Sequence, residues 1–263
     1  MRVALVNDIH LHYRRSGHPE APLVVFANSL GTDLRIWDDV LERLGGMIRS
    51  LAYDKRGHGL SDVVPPPYRI DDHVDDLVAL LDHLRIERAV ICGVSVGGMI
   101  ALGLADRQPD RVQGLILCDT AHKIGSDGLW NQRIEQIREH GIASIADSIL
   151  ERWFSKRFHR THPEAVAAWR NMLERTPMDG YVGTCAALRD ADFTTAACRL
   201  QVPVLCLCGG EDGATPPELV QSMSDLIAGS RLRLVDGAGH LPCIEAPDEV
   251  AAHILNFMEE TAT

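Results

Sequence analysis

No stretch of this chain is apolar for long enough to cross a bilayer, since the longest uncharged run of interest, residues 89–105, stops short of the ~20 residues a membrane helix needs. The opening MRVALVNDIHLHYRR lacks a basic segment followed by a long apolar one, so no export leader is expected. The chain reads as an unexported, cytoplasmic protein without a membrane partner. Also missing is any CxxC pair. Cys92, Cys118, Cys206 and Cys208 fall instead in apolar, strand-like runs, where a free thiol behaves as a small hydrophobe in a reducing compartment. His159 and His162 lack a third ligand, so neither a metal nor a cofactor is expected. Positive charge is in deficit: 26 Lys and Arg against 37 Asp and Glu give a net charge of −11, which repels a phosphate backbone and excludes nucleic acid as a partner. The same balance disfavours an anionic small molecule unless cations are placed locally. Repeats and low-complexity tracts are absent, and 263 residues suffice for one large α/β domain with an insertion.

What is present centres on residues 89–105, AVICGVSVGGMIALGLA. Val90, Ile91 and Cys92 have the character of a buried strand, Met99 onward has the composition of a helix, and glycines crowd the join. Ser95 therefore sits in the pattern G-x-S-x-G, a tight strand-to-helix turn that lifts a hydroxyl above the sheet and aims the following N–H groups at a developing negative charge. It is not a dinucleotide fingerprint, because Ser95 occupies the second glycine position of G-x-G-x-x-G.

Strand-like runs recur along the chain: a hairpin around Asn7-Asp8, LVVFA from Leu23, a strand from Ile48 to Tyr53, the run before Ser95, VQGLILC from Val112, a run from Val202 to Leu207, and RLRLV from Arg231. Between several of them lie helical patterns, such as the stripe Val74, Leu77, Val78, Leu81 and Leu84. The expected fold is α/β, with a mostly parallel eight-stranded sheet. Residues 122–190 break the rhythm, being helical and tryptophan-bearing, and are expected to form a helical cap inserted after strand 6. The core domain would then comprise residues 1–121 and 191–263. The cap carries ten Lys and Arg against nine Asp and Glu, a net +1, so it alone does not repel anions.

In such a sheet the loops at the strand carboxyl ends converge on one edge. Ser95, Asp212 and His240 all lie on such loops, and their order suits a nucleophile, an orienting acid and a general base. Glu211 is the neighbouring rival for the acid. Backbone N–H groups of Leu30 and Val96 are the candidate oxyanion donors. His58 reads as structural. Within the cap, Trp130, Arg133, Ile134 and Ile137 share one helical face by their i, i+3, i+4, i+7 spacing, and Trp130, Arg133 and Ile134 are the candidate substrate-binding residues, expected to face the site. An arginine there is suited to grip a carboxylate, or else its stem lies along the cap with its head in solvent.

Gly93-Val94-Ser95-Val96-Gly97-Gly98, the loop from Tyr53 to Gly59, the G-x-x-D-x-x-T-P pattern ending in Thr215-Pro216, and Gly237-Ala238-Gly239-His240-Leu241-Pro242 resemble the α/β-hydrolase superfamily across essentially the whole chain. The stretch from Asn28 to Asp33 with Trp37, and Cys118-Asp119-Thr120-Ala121 followed by Trp130-Asn131 and Arg133-Ile134, are similar to the 3-oxoadipate enol-lactonases. Val94 and Val96 stand where that family usually has Leu and Met. The resemblance implies an α/β-hydrolase fold, a catalytic triad of Ser95, Asp212 and His240, and a small anionic lactone as substrate. Related chemistries on the same scaffold are general esterases, perhydrolases, ring-cleavage-product hydrolases and a hydrolase-like ligand receptor. An aspartate-nucleophile dehalogenase is excluded by Ser95.

Overall fold

The computed structural model describes residues 1–261. Eight strands form one sheet: β1 (Arg2–Val6), β2 (Ile9–Ser16), β3 (Leu23–Ala27), β4 (Arg49–Tyr53), β5 (Ala89–Val94), β6 (Val112–Cys118), β7 (Val204–Gly209) and β8 (Arg231–Val235). Their spatial order is β1-β2-β4-β3-β5-β6-β7-β8. The pairs β1/β2 and β2/β4 are antiparallel and all the others parallel, as the strand–helix alternation predicts. The hairpin turns at Asn7 and Asp8, both at positive φ, the geometry in which a two-residue connection matches the strand twist. Every residue of β3, β5 and β7 is buried, which explains why these strands read as continuous apolar runs rather than alternating ones.

Helices cover the sheet: α1 (Asp38–Leu44), α2 (Ile70–His83), α3 (Val96–Arg107), α4 (Asp127–His140), α5 (Ala146–Trp153), α6 (Lys156–Thr161), α7 (Pro163–Glu174), α8 (Met178–Asp190), α9 (Thr194–Ala197), α10 (Pro217–Leu226), α11 (Pro242–Glu245) and α12 (Pro247–Thr261). The first ten residues of α3 are all buried, so it is a core helix rather than an amphipathic one. On α2 the buried Val74, Leu77, Leu80 and Leu81 form the inward stripe, and the Asp72 carboxylate turns back to accept the Arg69 N–H at 2.7 Å. Between β6 and β7 the chain is helical from α4 to α9 and contributes no strand among the described residues. Here α4 packs on α8 and α5 on α7.

Two strand boundaries differ from the sequence reading. β7 runs from Val204 to Gly209 instead of Val202 to Leu207, because Pro203 has no N–H to enter a ladder and its carbonyl instead accepts from Leu115 at 2.9 Å. β4 starts at Arg49, paired with Leu23, rather than at Ile48. No described helix is long and apolar enough to cross a membrane.

Candidate active site

Ser95 joins β5 to α3 at φ 57° and ψ −119°, a conformation that costs a residue with a side chain on the order of 1–3 kcal/mol. Its surroundings hold it there. The Ser95 N–H donates to the Cys118 carbonyl at 3.0 Å, and its own carbonyl accepts the Thr120 hydroxyl at 2.7 Å and the Gly98 N–H at 2.9 Å. The flanking glycines are required by close approach: a Cβ on Gly93 would lie 2.3 Å from the Gly97 carbonyl carbon, and one on Gly97 would lie 2.2 Å from the Ala27 oxygen. The G-x-S-x-G spacing is thus the steric condition for helix and strand to close over one serine.

His240 lies beyond β8, and its Nδ1 is 2.9 Å from Asp212 Oδ2, with both residues buried. The same oxygen accepts the Thr215 hydroxyl at 2.6 Å, while Asp212 Oδ1 accepts the N–H groups of Ala214 at 2.7 Å and Thr215 at 3.0 Å. Burial pushes the Asp212 pKa upward, but His240 and the Thr215 donors outweigh it and hold the carboxylate below its ordinary value. A carboxylate at Nδ1 favours the tautomer whose Nε2 is free to accept a proton. Glu211 is exposed, and its N–H donates to the Ala238 carbonyl at 2.8 Å, so Asp212 is the acid that reaches His240.

Ser95 and His240 line one cavity of about 80 Å³, together with Leu30, Trp130, Arg133 and Arg152. That volume is small beside the roughly 300–1,000 Å³ of drug-sized pockets, which points to a compact ligand. Asp212 stands behind His240, outside the cavity wall. Among the described residues, no acceptor engages the N–H of Leu30 or of Val96. The Leu30 loop is braced from below. Lys55 Nζ donates to the Ser29 carbonyl at 2.5 Å, Asn28 Nδ2 to the Thr32 carbonyl, and the Gly31 N–H to His58 Nε2 at 3.1 Å. Burial, then the Lys55 charge, drives the His58 pKa well below its usual value, so this imidazole stays neutral, consistent with its structural reading.

On α4, Trp130 is buried and its Nε1 donates to the Ile124 carbonyl at 2.7 Å, while the Arg133 guanidinium carbon sits 4.8 Å from the Trp130 ring centre. Ile134, expected on the cavity face, does not line the cavity and packs against the core instead. Successive residues diverge by about 100° around a helix, and the cavity meets the edge carrying Leu129, Trp130 and Arg133, which turns Ile134 away.

Sequence reading missed Arg152 of α5, which lines the cavity together with Arg133. Burial, then the like charge of Arg133, presses the Arg152 pKa below its normal value. Arg152 Nε donates to the Ser148 carbonyl at 3.1 Å, and among the described residues neither arginine has a carboxylate partner. Both also border an outer pocket of about 230 Å³ lined by Gln132, Gln136 and Ser148. Glu245 is a second missed residue. Its Oε1 accepts the Gly239 N–H at 2.8 Å and the Ser155 N–H at 3.0 Å, and its Oε2 accepts the Ser155 hydroxyl at 2.5 Å, so it ties the His240 loop to the helices above.

A larger cleft of about 690 Å³ opens between the β3 loop and α7. Its carboxylates are already engaged, Asp54 by His12 and two N–H groups and Asp33 by Arg35, and its Thr32 and Thr176 hydroxyls donate to backbone carbonyls. Asp119, Cys208 and Asp212 bring potential ligand atoms within 4.8 Å of one another, but burial raises the Cys208 thiol pKa and opposes the thiolate that a metal would need.

A family model described as "Alpha/beta hydrolase family" matches residues 24–253. Two proteins of Acinetobacter baylyi named 3-oxoadipate enol-lactonase are similar over their length: one is 36% identical across 91% of this chain and 90% of that protein, the other 34% identical across 93% and 91%. The crystal structure of the enol-lactonase from Burkholderia xenovorans superposes with a TM-score of 0.95 at 36% identity, covering 98% of this chain and 100% of that one. An N-acyl homoserine lactone degrading enzyme, Est816, superposes with a TM-score of 0.87 at 26% identity, covering 97% and 100%.

Proposed function

This chain belongs to the alpha/beta hydrolase family, and on that premise we propose that it opens 3-oxoadipate enol-lactone to 3-oxoadipate in the bacterial breakdown of catechol and protocatechuate. It is a carboxylic ester hydrolase of lactonase or esterase type. The finer reading is supported above all by one coincidence: a serine on a strained turn and an Asp-bonded histidine line the same small cavity as two arginines without carboxylate partners. A small lactone carrying one carboxylate matches both ends of that cavity.

In this reading His240 Nε2 takes the Ser95 proton as Oγ attacks the lactone carbonyl. The tetrahedral oxyanion accepts hydrogen bonds from the Leu30 and Val96 N–H groups, each donor being worth about 10²–10³ in rate. Collapse breaks the ring C–O bond. The freed enolate oxygen takes the proton held on His240 Nε2, which returns the imidazole to its neutral form, and the opened chain stays esterified to Ser95. Water, deprotonated by His240, then attacks the ester, Ser95 leaves with its proton restored, and the enol tautomerises to the ketone. An enolate leaves more readily than an alkoxide, so base assistance by His240 matters more in acylation than acid assistance does.

Arg133 and Arg152 would hold the substrate carboxylate, with Trp130 supplying an apolar wall. Residues 122–190 act as a cap over a core made of residues 1–121 and 191–263, since α4 and α5 supply the arginine side of the cavity. The deciding experiment follows freshly generated enol-lactone by loss of its ultraviolet absorbance. Wild type should turn it over in strong preference to a neutral aryl ester of similar size, and Ser95→Ala should not turn it over at all. Turnover retained by Ser95→Ala would overturn the mechanism, and equal rates on both substrates would favour a general esterase.

A further inference from the structure

Asp119 follows β6 at φ 46° and is completely buried. Its Oδ1 accepts the Gly209 N–H at 2.8 Å, whereas no donor reaches its Oδ2. One of its carboxyl oxygens, the Cys208 sulfur and one Asp212 oxygen lie within 4.8 Å of one another. Two carboxyl groups that close, away from water, cannot both be ionised unless a cation stands between them. The groups facing Asp119 are Asp212 on the loop after β7, Cys208 within β7, Cys118 at the end of β6, Cys243 in α11 and the Gly209 N–H, with no lysine or arginine among them.

Counting donors shows which of the two carries the charge. Asp212 collects His240, the Thr215 hydroxyl and the N–H groups of Ala214 and Thr215. Asp119 collects one N–H and leaves its other oxygen bare. We propose that Asp119 is a neutral carboxylic acid in the working enzyme, and that its Oδ2–H is directed at the Asp212 carboxylate and positions it for His240. Asp119 is a positioning residue, since it touches neither the cavity nor the reacting atoms. Its surroundings act in the same sense: burial first, and the Asp212 charge second, raise its pKa well above the carboxylic-acid norm. The inference rests on the reading of Asp212 and His240 as the catalytic pair.

The test compares wild type with Asp119→Asn and Asp119→Ala. Asparagine keeps the size and an N–H donor but cannot ionise. Asp119→Asn should retain kcat within about threefold and leave the acidic limb of the kcat/KM–pH profile, which reports the free enzyme's His240, where it is. Asp119→Ala should lower kcat by about tenfold or more with little change in KM. Wild type should show the infrared carbonyl band of a protonated carboxyl group at neutral pH, and Asp119→Asn should lack it. An acidic limb that moves to lower pH in Asp119→Asn would mean that a negative charge had been removed beside the imidazole, and would overturn the proposal. So would absence of the infrared band, or full activity in Asp119→Ala. If Asp119→Ala fails to fold, the Asn profile and the band still decide. The profiles can be taken with any ester the enzyme cleaves, and the band needs no turnover, so a failure of the substrate assignment or of Ser95→Ala is read separately.

Discussion

Asp212 Oδ2 stands 2.9 Å from His240 Nδ1 and 2.6 Å from the Thr215 hydroxyl, so a single carboxylate oxygen both orients the imidazole and is itself fixed. Asp212→Asn should therefore cut kcat by about 10⁴-fold through the wrong tautomer, while Thr215→Val should cost far less. The pH dependence has a definite sign. The folded-state pKa of Asp212 is held below its unfolded value, so its contribution to stability is complete above the unfolded pKa of about 3.9 and is lost as pH falls through the folded value. Acid unfolding followed by circular dichroism should have a shallower pH dependence in Asp212→Asn than in wild type.

The arginine pair makes a prediction about charge rather than chemistry. Removing either guanidinium should lower kcat/KM for the anionic lactone by about 10- to 100-fold, the worth of one charge-assisted hydrogen bond, and leave a neutral ester of similar size almost unaffected. Because Arg133 and Arg152 share one cavity, the double variant should lose less than the product of the two single losses. Equal losses on charged and neutral substrates would assign these residues to packing instead.

Lys55 offers a second pH test. Burial pushes its pKa down to about 7, against the opposing pull of Asp54 and Asp33, while it holds the Ser29 carbonyl beneath the Leu30 loop. Between that value and the unfolded pKa of about 10.4 the unfolded chain binds the extra proton, so Lys55 makes stability rise with pH across this window. Lys55→Met should remove that rise in thermal unfolding scans. It should also slow kcat by about tenfold by loosening the loop that carries Leu30, the proposed oxyanion donor.

Much of this arrangement was legible in the chain because each part carries a local constraint. Gly93 and Gly97 announce the turn at Ser95, and the loops after β7 and β8 carry Asp212 and His240 at the edge where a parallel sheet gathers such groups. Arg152 and Asp119 were not legible as functional residues. Arg152 is one of many charged residues on the helices between β6 and β7 and acquires meaning only where α5 docks on the acid loop, with the Gly213 N–H donating to its carbonyl at 3.3 Å. Asp119 gains its environment from Gly209, ninety positions away. Ile134 failed for the complementary reason: helical spacing says which residues share a face, but the neighbour that the face meets decides which of them reach a cavity.

The last prediction concerns how closely the helices between β6 and β7 approach the sheet loops. Gly180, in the first turn of α8, lies so near the loop after β4 that a Cβ there would sit 1.9 Å from the Gly57 oxygen and 2.5 Å from its carbonyl carbon. Both obstacles are backbone, so they cannot swing aside, and α8 must move outward to admit even one methyl group. Tyr181 and Leu188 on the same helix line the cavity, so that shift should reach the site. Gly180→Ala should destabilise the protein by about 2–4 kcal/mol and lower kcat/KM together with thermal stability. Gly128, exposed on α4 with nothing within 4 Å of an added Cβ, is the control: Gly128→Ala should be neutral or raise stability by up to about 1 kcal/mol through helix propensity. Equal effects at the two positions would show that α8 does not rest on the Gly57 backbone.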